Sequence, residues 1–276
     1  MQAKNQHSNL IPIWLFAQFE LTRLFFTKRG LFLVASLAIV WFFILDFLVY
    51  ESVQLLRDPL LRDQISSWFG EVQLDYLLQW PYSELAVYWI ISVFIFPFIA
   101  ILISSDQIAS DIKRGTVRFL LLRSTRSQLL LGRFLGKTLI VTILIFLSVL
   151  ATFLMGINRD ATQIVNSTPQ LILILFNLIL LCLPYIALMS LLNAHFQSSK
   201  ISLLIAFIIV PVISSLIGYI ATYIEPADYL LYALPGLQLT DTLQLADFQL
   251  SSLLIPLIQT IGYLFLTQQV LVRKSL

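Results

Sequence analysis

The segment 104–134 holds most of the side chains whose types and spacing suit a specific interaction. Asp106 and Asp111 are followed by Gly115–Thr116 and by an apolar run, Val117–Leu122, that lies between basic residues. Such a segment is too charged to enter lipid and too apolar to be a free linker. It predicts either an amphipathic helix pair that docks a soluble partner or an interfacial elbow whose basic residues hold anionic headgroups. The pattern alone leaves both interpretations open.

The end of this segment contains the Gly-Lys-Thr sequence of a nucleotide-binding P-loop but not the spacing between its glycines. The run Gly132–Thr138 reads GRFLGKT, with three residues between its glycines, whereas a P-loop requires four. No HExxH or GxSxG pattern occurs. The single cysteine, Cys182, excludes a four-cysteine metal site, and the widely separated His7 and His195 suggest neither a metal site nor a proton relay. We therefore expect that the chain is not an enzyme and binds no metal or cofactor, and that any ATP hydrolysis belongs to a separate polypeptide.

The elements that position these residues must face lipid. Hydrophobic residues make up 59% of the 276 residues and charged residues 12%, whereas soluble domains are about 45–50% apolar and about 25% charged. So little polar side chain cannot cover a surface that faces water. The net charge of +2 indicates no nucleic-acid partner.

Six apolar runs are long enough to cross a membrane, which takes roughly 20 residues. Each run must be helical, because an open strand leaves backbone groups unpaired in lipid. The predicted spans are Leu31–Tyr50, Leu85–Ile103, Leu135–Ile157, Leu171–Leu192, Ile201–Ile224 and Leu253–Val272.

Basic residues predict that both termini lie on the inner side of the membrane. With that orientation, all of the 17 lysines and arginines except Arg57, Arg62 and Arg159 fall in inner segments. Cytoplasmic segments of membrane proteins carry such an excess of positive charge.

The predicted fold is therefore an all-α polytopic membrane protein with six transmembrane helices. Residues 1–30 form a cytoplasmic N-terminus with an interfacial helix, and residues 31–276 form the six-span domain. The cytoplasmic loop is 104–134, and the outer segments are 51–84, 158–168 and 225–252. The pattern leaves open whether 225–252 re-enters the membrane. Proline at positions 97, 184 and 211 predicts kinks inside three spans.

Two capping patterns predict where helices begin. Thr125 with Gln128 fits a capping box that opens a helix running from Arg126 into the third span. Thr168 before Pro169 predicts an N-cap at the start of the fourth span.

The loop resembles the signature region of the type-2 permeases of ATP-binding-cassette (ABC-2) transporters. That family shows an acid after the second span, a second acid about five residues on, Gly-Thr, a short apolar stretch, a Pro-x-x-Arg turn and a later basic residue. Asp106, Asp111 and Gly115–Thr116 match, Arg126 matches the turn arginine, and Arg133 or Lys137 matches the later basic residue. Arg123 stands where the family usually has proline.

The N-terminal segment adds to this resemblance. Glu20 and Arg23 precede Lys28–Arg29 at the start of the first span, as in the connecting helix of the family. The number of spans and the inner termini agree as well.

The resemblance implies a permease of an ABC exporter in a bacterial inner membrane. Its partners would be separate ABC ATPase subunits that carry ATP and Mg, a second permease copy or homologue, and membrane lipid. The residues expected to couple to the ATPase are Glu20, Arg23, Asp106, Asp111, Arg114, Gly115, Thr116, Arg126 and Arg133.

The loop motif and the apolar spans narrow the possible functions of the chain but do not identify its substrate. The apolar spans favour efflux of an apolar or amphipathic substrate over a small ion. A membrane scaffold or signalling component that uses ATPase strokes without passing a substrate is the alternative. A secondary transporter is disfavoured, because its spans normally carry ionisable residues near the midplane.

Overall fold

The computed structural model describes residues 3–50, 80–107, 111, 115–224, 226, 228–236 and 250–273. Within these ranges the chain is helical apart from turns, and it has no strand. Among the described residues, six helices are long and apolar enough to cross a membrane. The predicted all-α fold with six spans is confirmed. Most of the predicted outer segment 51–84 and part of 225–252 lie outside the described residues.

The helices are numbered α1 to α9 along the chain. The first and fourth lie outside the spans, and α8 is a single turn. The spans are α2, α3, α5, α6, α7 and α9. The bounds are α1 Ala3–Phe26, α2 Lys28–Phe43, α3 Ser83–Ser104, α4 Thr116–Leu121, α5 Arg126–Arg159, α6 Ile164–Phe196, α7 Ser199–Ala221, α8 Asp228–Leu231 and α9 Leu250–Arg273.

Polar side chains fix the beginnings of two helices. Thr27 caps α2 by accepting a hydrogen bond of 3.1 Å from the backbone amide of Gly30. The predicted capping box is confirmed at α5, where the Thr125 hydroxyl accepts from the Gln128 amide and the Gln128 side chain accepts from the Thr125 amide. Because α5 then continues without a break to Arg159, the loop and the third span share one rigid helix.

The predicted N-cap at Thr168 is wrong. Helix α6 begins at Ile164, so Thr168 and Pro169 lie inside it, and the Thr168 hydroxyl donates to the Ile164 carbonyl. Pro169 is the sixth residue of this helix, so it removes the hydrogen bond that an N–H would make to the Val165 carbonyl. Prolines inside membrane helices are tolerated where the freed backbone groups find other partners. The short turn before α6 is capped instead by Asp160, which accepts from the Thr162 amide at 3.0 Å.

Two spans contain π-helical segments. Ile44–Tyr50 continues α2, and Asp46 is exposed on its surface. Ile205–Ile209 interrupts α7 just before Pro211. Because proline has no N–H and its ring crowds the preceding turn, a widened turn accommodates it. The predicted irregularity at this position therefore takes the form of a π turn.

The core of the subunit lies between α2, α3, α5 and α6. Tyr88, Trp89 and Phe96 of α3 are almost fully buried, and Trp41 of α2 packs edge-on against Tyr88 with ring centroids 5.8 Å apart. The Tyr88 hydroxyl shares a hydrogen bond of 2.8 Å with Ser148 of α5. Side-chain bonds of this kind join helices in lipid, where hydrophobic burial alone does little.

The turn after α8 lies beside the middle of α9. The Gln259 amide donates to the carbonyls of Tyr232 and Leu234 at 2.8 and 3.1 Å. The Tyr263 hydroxyl donates to the carbonyl of Ala233. These bonds satisfy backbone groups that lipid would leave unpaired. Re-entry of part of 225–252 into the membrane stays a prediction.

Candidate functional site

A buried ion cluster joins α1, the loop and α5. The Arg133 guanidinium binds Glu20 and also Asp111, the latter at 2.5 Å between Nη2 and Oδ2. Lys137 Nζ lies 2.8 Å from the second carboxylate oxygen of Glu20. The side chains of Glu20, Arg133 and Lys137 are 1%, 4% and 9% exposed. Breaking a pair this deeply buried costs about 3–5 kcal/mol, because the remaining charge has neither partner nor water.

The electrostatics of Glu20 follow from its partners. Burial raises the pKa of Glu20, but the positive charges of Lys137 and Arg133, with their hydrogen bonds, outweigh it. The pKa of Glu20 therefore lies below its ordinary value, and the carboxylate is charged at neutral pH. Arg133 also lies 5.0 Å from the ring centroid of Phe19, which adds a cation–π contact.

Two glycines of α5 let α1 approach closely enough to form this cluster. A Cβ at Gly132 would lie 2.5 Å from the Cβ of Phe16, and one at Gly136 would lie 2.8 Å from the Cβ of Glu20. Since residues four apart share a helix face, Gly132 and Gly136 form a flat strip on which α1 rests. The GRFLGKT run is therefore a helix-packing surface, with basic residues beside each glycine.

Asp106 links α1 to the start of α7. Arg23 donates to its Oδ2 at 2.7 Å, and the Ser199 hydroxyl donates to its Oδ1 at 3.1 Å. Both members of the Arg23–Asp106 pair are more than a third exposed. Pairs of that exposure contribute only about 0.2–1 kcal/mol, so the buried cluster at Glu20 dominates the attachment of α1.

The Gly-Thr dipeptide shapes the turn that precedes α4. Gly115 has φ of 70°, the left-handed region that glycine adopts at little cost. The Thr116 hydroxyl lies 3.1 Å from the Asp111 carbonyl and 3.2 Å from its carboxylate. One carboxylate oxygen of Asp111 therefore contacts Thr116 at the start of α4, and the other oxygen binds Arg133.

Arg126 holds the end of the sixth span. Its Nη1 donates to the carbonyls of Leu271 and Val272 at 2.5 and 2.9 Å. Carbonyls in the last turn of a helix have no intrahelical partner, and a cation there is favourable. The predicted coupling residue Arg126 is thus engaged within the chain.

A second polar junction lies at the same end of the spans. The Asn193 amide of α6 donates to the Ser104 carbonyl at the end of α3, at 2.9 Å. The Ser190 hydroxyl donates to the Gln107 side chain, also at 2.9 Å. The first residues of the loop are in this way attached to the fourth span.

Helix α4 and the turn after it present an exposed surface, which we call the α4 surface. It consists of Arg118, Phe119, Leu122 and Arg123. Phe119 is 74% and Leu122 is 80% exposed. An exposed phenylalanine and leucine between two arginines are compatible with both interpretations of the loop, a protein-docking surface and an interfacial elbow that holds lipid headgroups.

The structure brings together most of the predicted coupling residues. Glu20, Arg133 and Asp111 share one cluster, and Arg23 pairs with Asp106 beside it. Arg114 lies outside the described residues. Sequence reasoning assigned no pairings, and it missed the packing role of the two glycines on α5. Whether these residues act on an ATPase stays a prediction.

The sequence model of one protein family, described as ABC-2 family transporter protein, matches residues 3–270. The chain belongs to the ABC-2 transporter family. The resemblance drawn from the loop motif is thereby confirmed. Comparison with curated proteins gave no significant match. Membership makes the chain a multi-pass membrane subunit of an ABC transporter, a component that is not itself catalytic.

Proposed function

We propose that this chain is the permease of an ATP-driven exporter that moves an apolar or amphipathic substrate outward. A separate ABC ATPase, carrying ATP and Mg, docks on the α4 surface from the cytoplasm. Both termini lie on that side of a bacterial inner membrane. The observation that carries the proposal is an exposed apolar surface mounted on a loop that buried ion pairs tie to α1 and α5.

The α4 surface has the features of a docking site. Phe119 and Leu122 supply apolar surface that a groove on the ATPase can bury. The positive charges of Arg118 and Arg123 would be complemented by acidic residues of the ATPase at the edge of that groove. An aromatic anchor of this kind often dominates the affinity of an interface. The ion cluster itself, being buried, transmits force and does not touch the partner.

The loop is built to pass a displacement to the spans. From α4 the chain enters α5 within a few residues, through the capping box at Thr125. Asp111 connects the loop to Arg133, Asp106 connects it to Ser199 on α7, and Arg126 connects it to α9. A push on α4 therefore reaches the third, fifth and sixth spans together. A difference of a few kcal/mol between two states suffices to drive such a transition.

The second permease subunit docks on the two least-buried spans. Within the subunit only 12% of Gly30–Phe47 and 11% of Ser199–Ala221 are buried, against 67% of Ser83–Ser104. Spans that make so few contacts within their own subunit are free to line an interface with a second permease. The substrate pathway lies between the two subunits.

Reconstitution in vesicles tests the proposal. The chain and its ATPase are incorporated together, and the outward movement of a fluorescent amphipathic dye is followed with and without ATP. Phe119→Ser should reduce dye movement and the attached ATPase at least tenfold, while Phe26→Ser, which alters a phenylalanine of similar exposure on α1, should leave both unchanged. ATP turnover with no movement of any amphipathic solute would favour the scaffold alternative instead.

A further inference from the structure

One subunit has a half-open cavity of about 490 Å³ between α3, α6, α7 and the turn 231–236. Small-molecule sites usually measure about 300–1,000 Å³ and have mostly apolar walls. Phe94 and Phe98 form one wall, and Phe207 and Val210 form the opposite wall. The rings of Phe98 and Phe207 stack with centroids 5.6 Å apart, so they close one edge of the cavity.

Irregular helix segments line this space. Pro97 lies in the interior of α3, and Pro211 follows the π turn Ile205–Ile209 of α7. Both prolines and two residues of the π turn, Ala206 and Phe207, line the cavity. Single π turns in α-helices occur frequently at functional sites.

The wall of the cavity contains the hydroxyl group of Tyr185. Tyr185 lines the cavity, is 8% exposed and makes no side-chain hydrogen bond within the part of the chain that the structure describes. A Cβ at Gly236 would lie 3.4 Å from its hydroxyl oxygen, so the turn passes closely beside it. Ser214 and Ser215 add two more hydroxyls to the lining. A tyrosine hydroxyl can both donate and accept a hydrogen bond, so the Tyr185 hydroxyl can bind a polar group of a ligand in the cavity.

The lining sets the class of ligand. No Asp, Glu, Lys or Arg is among the described residues that line the cavity, and a charged group would be buried there without a counter-ion. We propose that the cavity binds one uncharged, mostly hydrocarbon molecule whose hydroxyl or carbonyl group bonds to Tyr185. This is the chemistry of a neutral lipid, which is either a resident of the bilayer or the transported substrate.

The binding test needs neither ATP nor a partner. The purified chain in lipid nanodiscs is exposed to hexadecanol that carries a photoactivatable diazirine, and labelled peptides are mapped by mass spectrometry. Label is expected on peptides that contain Phe94–Phe98 and Ala206–Ser215. A hexadecyl trimethylammonium probe of the same length should label these peptides at least tenfold less.

Two variants decide whether the cavity is the site. Tyr185→Phe removes only the hydroxyl and should lower labelling about threefold to tenfold, the effect of one hydrogen bond. Ser214→Phe should fill the space and abolish labelling. The matched controls are Tyr88→Phe, whose hydroxyl bonds to Ser148 away from the cavity, and Gly218→Phe, on the same helix with open space around it. Labelling that neither cavity variant changes, or that the charged probe equals, overturns the proposal.

The source of the ligand follows from a second arm, which rests on the proposed export function. With the ATPase present, a fall in labelling on addition of ATP identifies a transported substrate, and unchanged labelling identifies a resident lipid. Both results uphold the site. If the reconstituted wild-type complex exports no dye with ATP but the purified chain is still labelled, the proposed export function is contradicted and the binding site in the cavity is not.

Discussion

Replacement of Glu20 by glutamine removes the negative charge at the centre of the buried ion cluster. Lys137 then loses the one ion pair that the described residues give it, while Arg133 keeps Asp111. Glutamine has nearly the same shape as glutamate, so the substitution leaves the packing of α1 on α5 unchanged. The experiment therefore isolates the charge.

The expected loss follows from burial. Since Glu20 is 1% and Lys137 is 9% exposed, water cannot replace the lost partner. We expect the free energy of unfolding to fall by about 3–5 kcal/mol, the usual cost of breaking a buried pair. In Glu20→Gln combined with Lys137→Met the stranded charge is gone, so the double variant should be about 0.5–3 kcal/mol more stable than the sum of the single effects.

Equilibrium unfolding in mixed micelles, followed by circular dichroism, measures these differences. The control is Lys28→Gln, an exposed residue near the same helix end, which should change stability by no more than about 0.5 kcal/mol. A change below about 1 kcal/mol for Glu20→Gln, or strict additivity in the double variant, would refute the claim that the cluster fastens α1.

Three further results are expected. Because the pKa of Glu20 lies below its ordinary value of 4.5, its contribution is present above that value and is lost as the pH falls through the lowered pKa; the stability difference between the wild type and Glu20→Gln should hold from pH 7 to 5 and shrink below it in unfolding titrations. Gly136→Leu should destabilise by about 1–3 kcal/mol through overpacking against Glu20, whereas Gly262→Leu, with nothing within 4 Å, should be neutral in the same assay. Gly115→Val should cost about 1–2 kcal/mol at its left-handed φ and reduce copurification of the ATPase, and Gly115→Asn should retain most of both.

The spans could be read from the sequence because lipid imposes a simple requirement. A segment in hydrocarbon must be apolar and must satisfy its own backbone, so composition and length suffice. The ends were less predictable, as α6 shows. It begins at Ile164 rather than at the first residue of its apolar run, because a helix can continue into polar surroundings once its core has formed.

The candidate site was predictable in its residues but not in its pairings. In the predicted orientation only Glu20, Asp106 and Asp111 among the acids fall in inner segments, and each of them forms an ion pair. That scarcity was a usable signal. The partner of Glu20 is 113 residues away along the chain, however, and only packing of α1 on α5 brings them together.

Two features needed the three-dimensional structure. Gly132 and Gly136 were considered only for a phosphate loop, although glycines four apart on a helix also favour close packing. Pro211 predicted a kink, but the π turn beside it and the cavity that it lines depend on how α7 meets α3. Local sequence does not encode that contact.

The docking of an ATPase on the α4 surface is the central claim, and photo-crosslinking tests it most directly. The amino acid p-benzoylphenylalanine replaces Phe119 in the complex of the chain with its ATPase, and in a matched variant it replaces Phe146, which is exposed on α5. Illumination should join position 119, and not position 146, to the ATPase. An active complex that gives no ATPase adduct from position 119 would contradict the account. So would intact cells in which a cysteine in a Phe119→Cys variant reacts with a membrane-impermeant maleimide added outside.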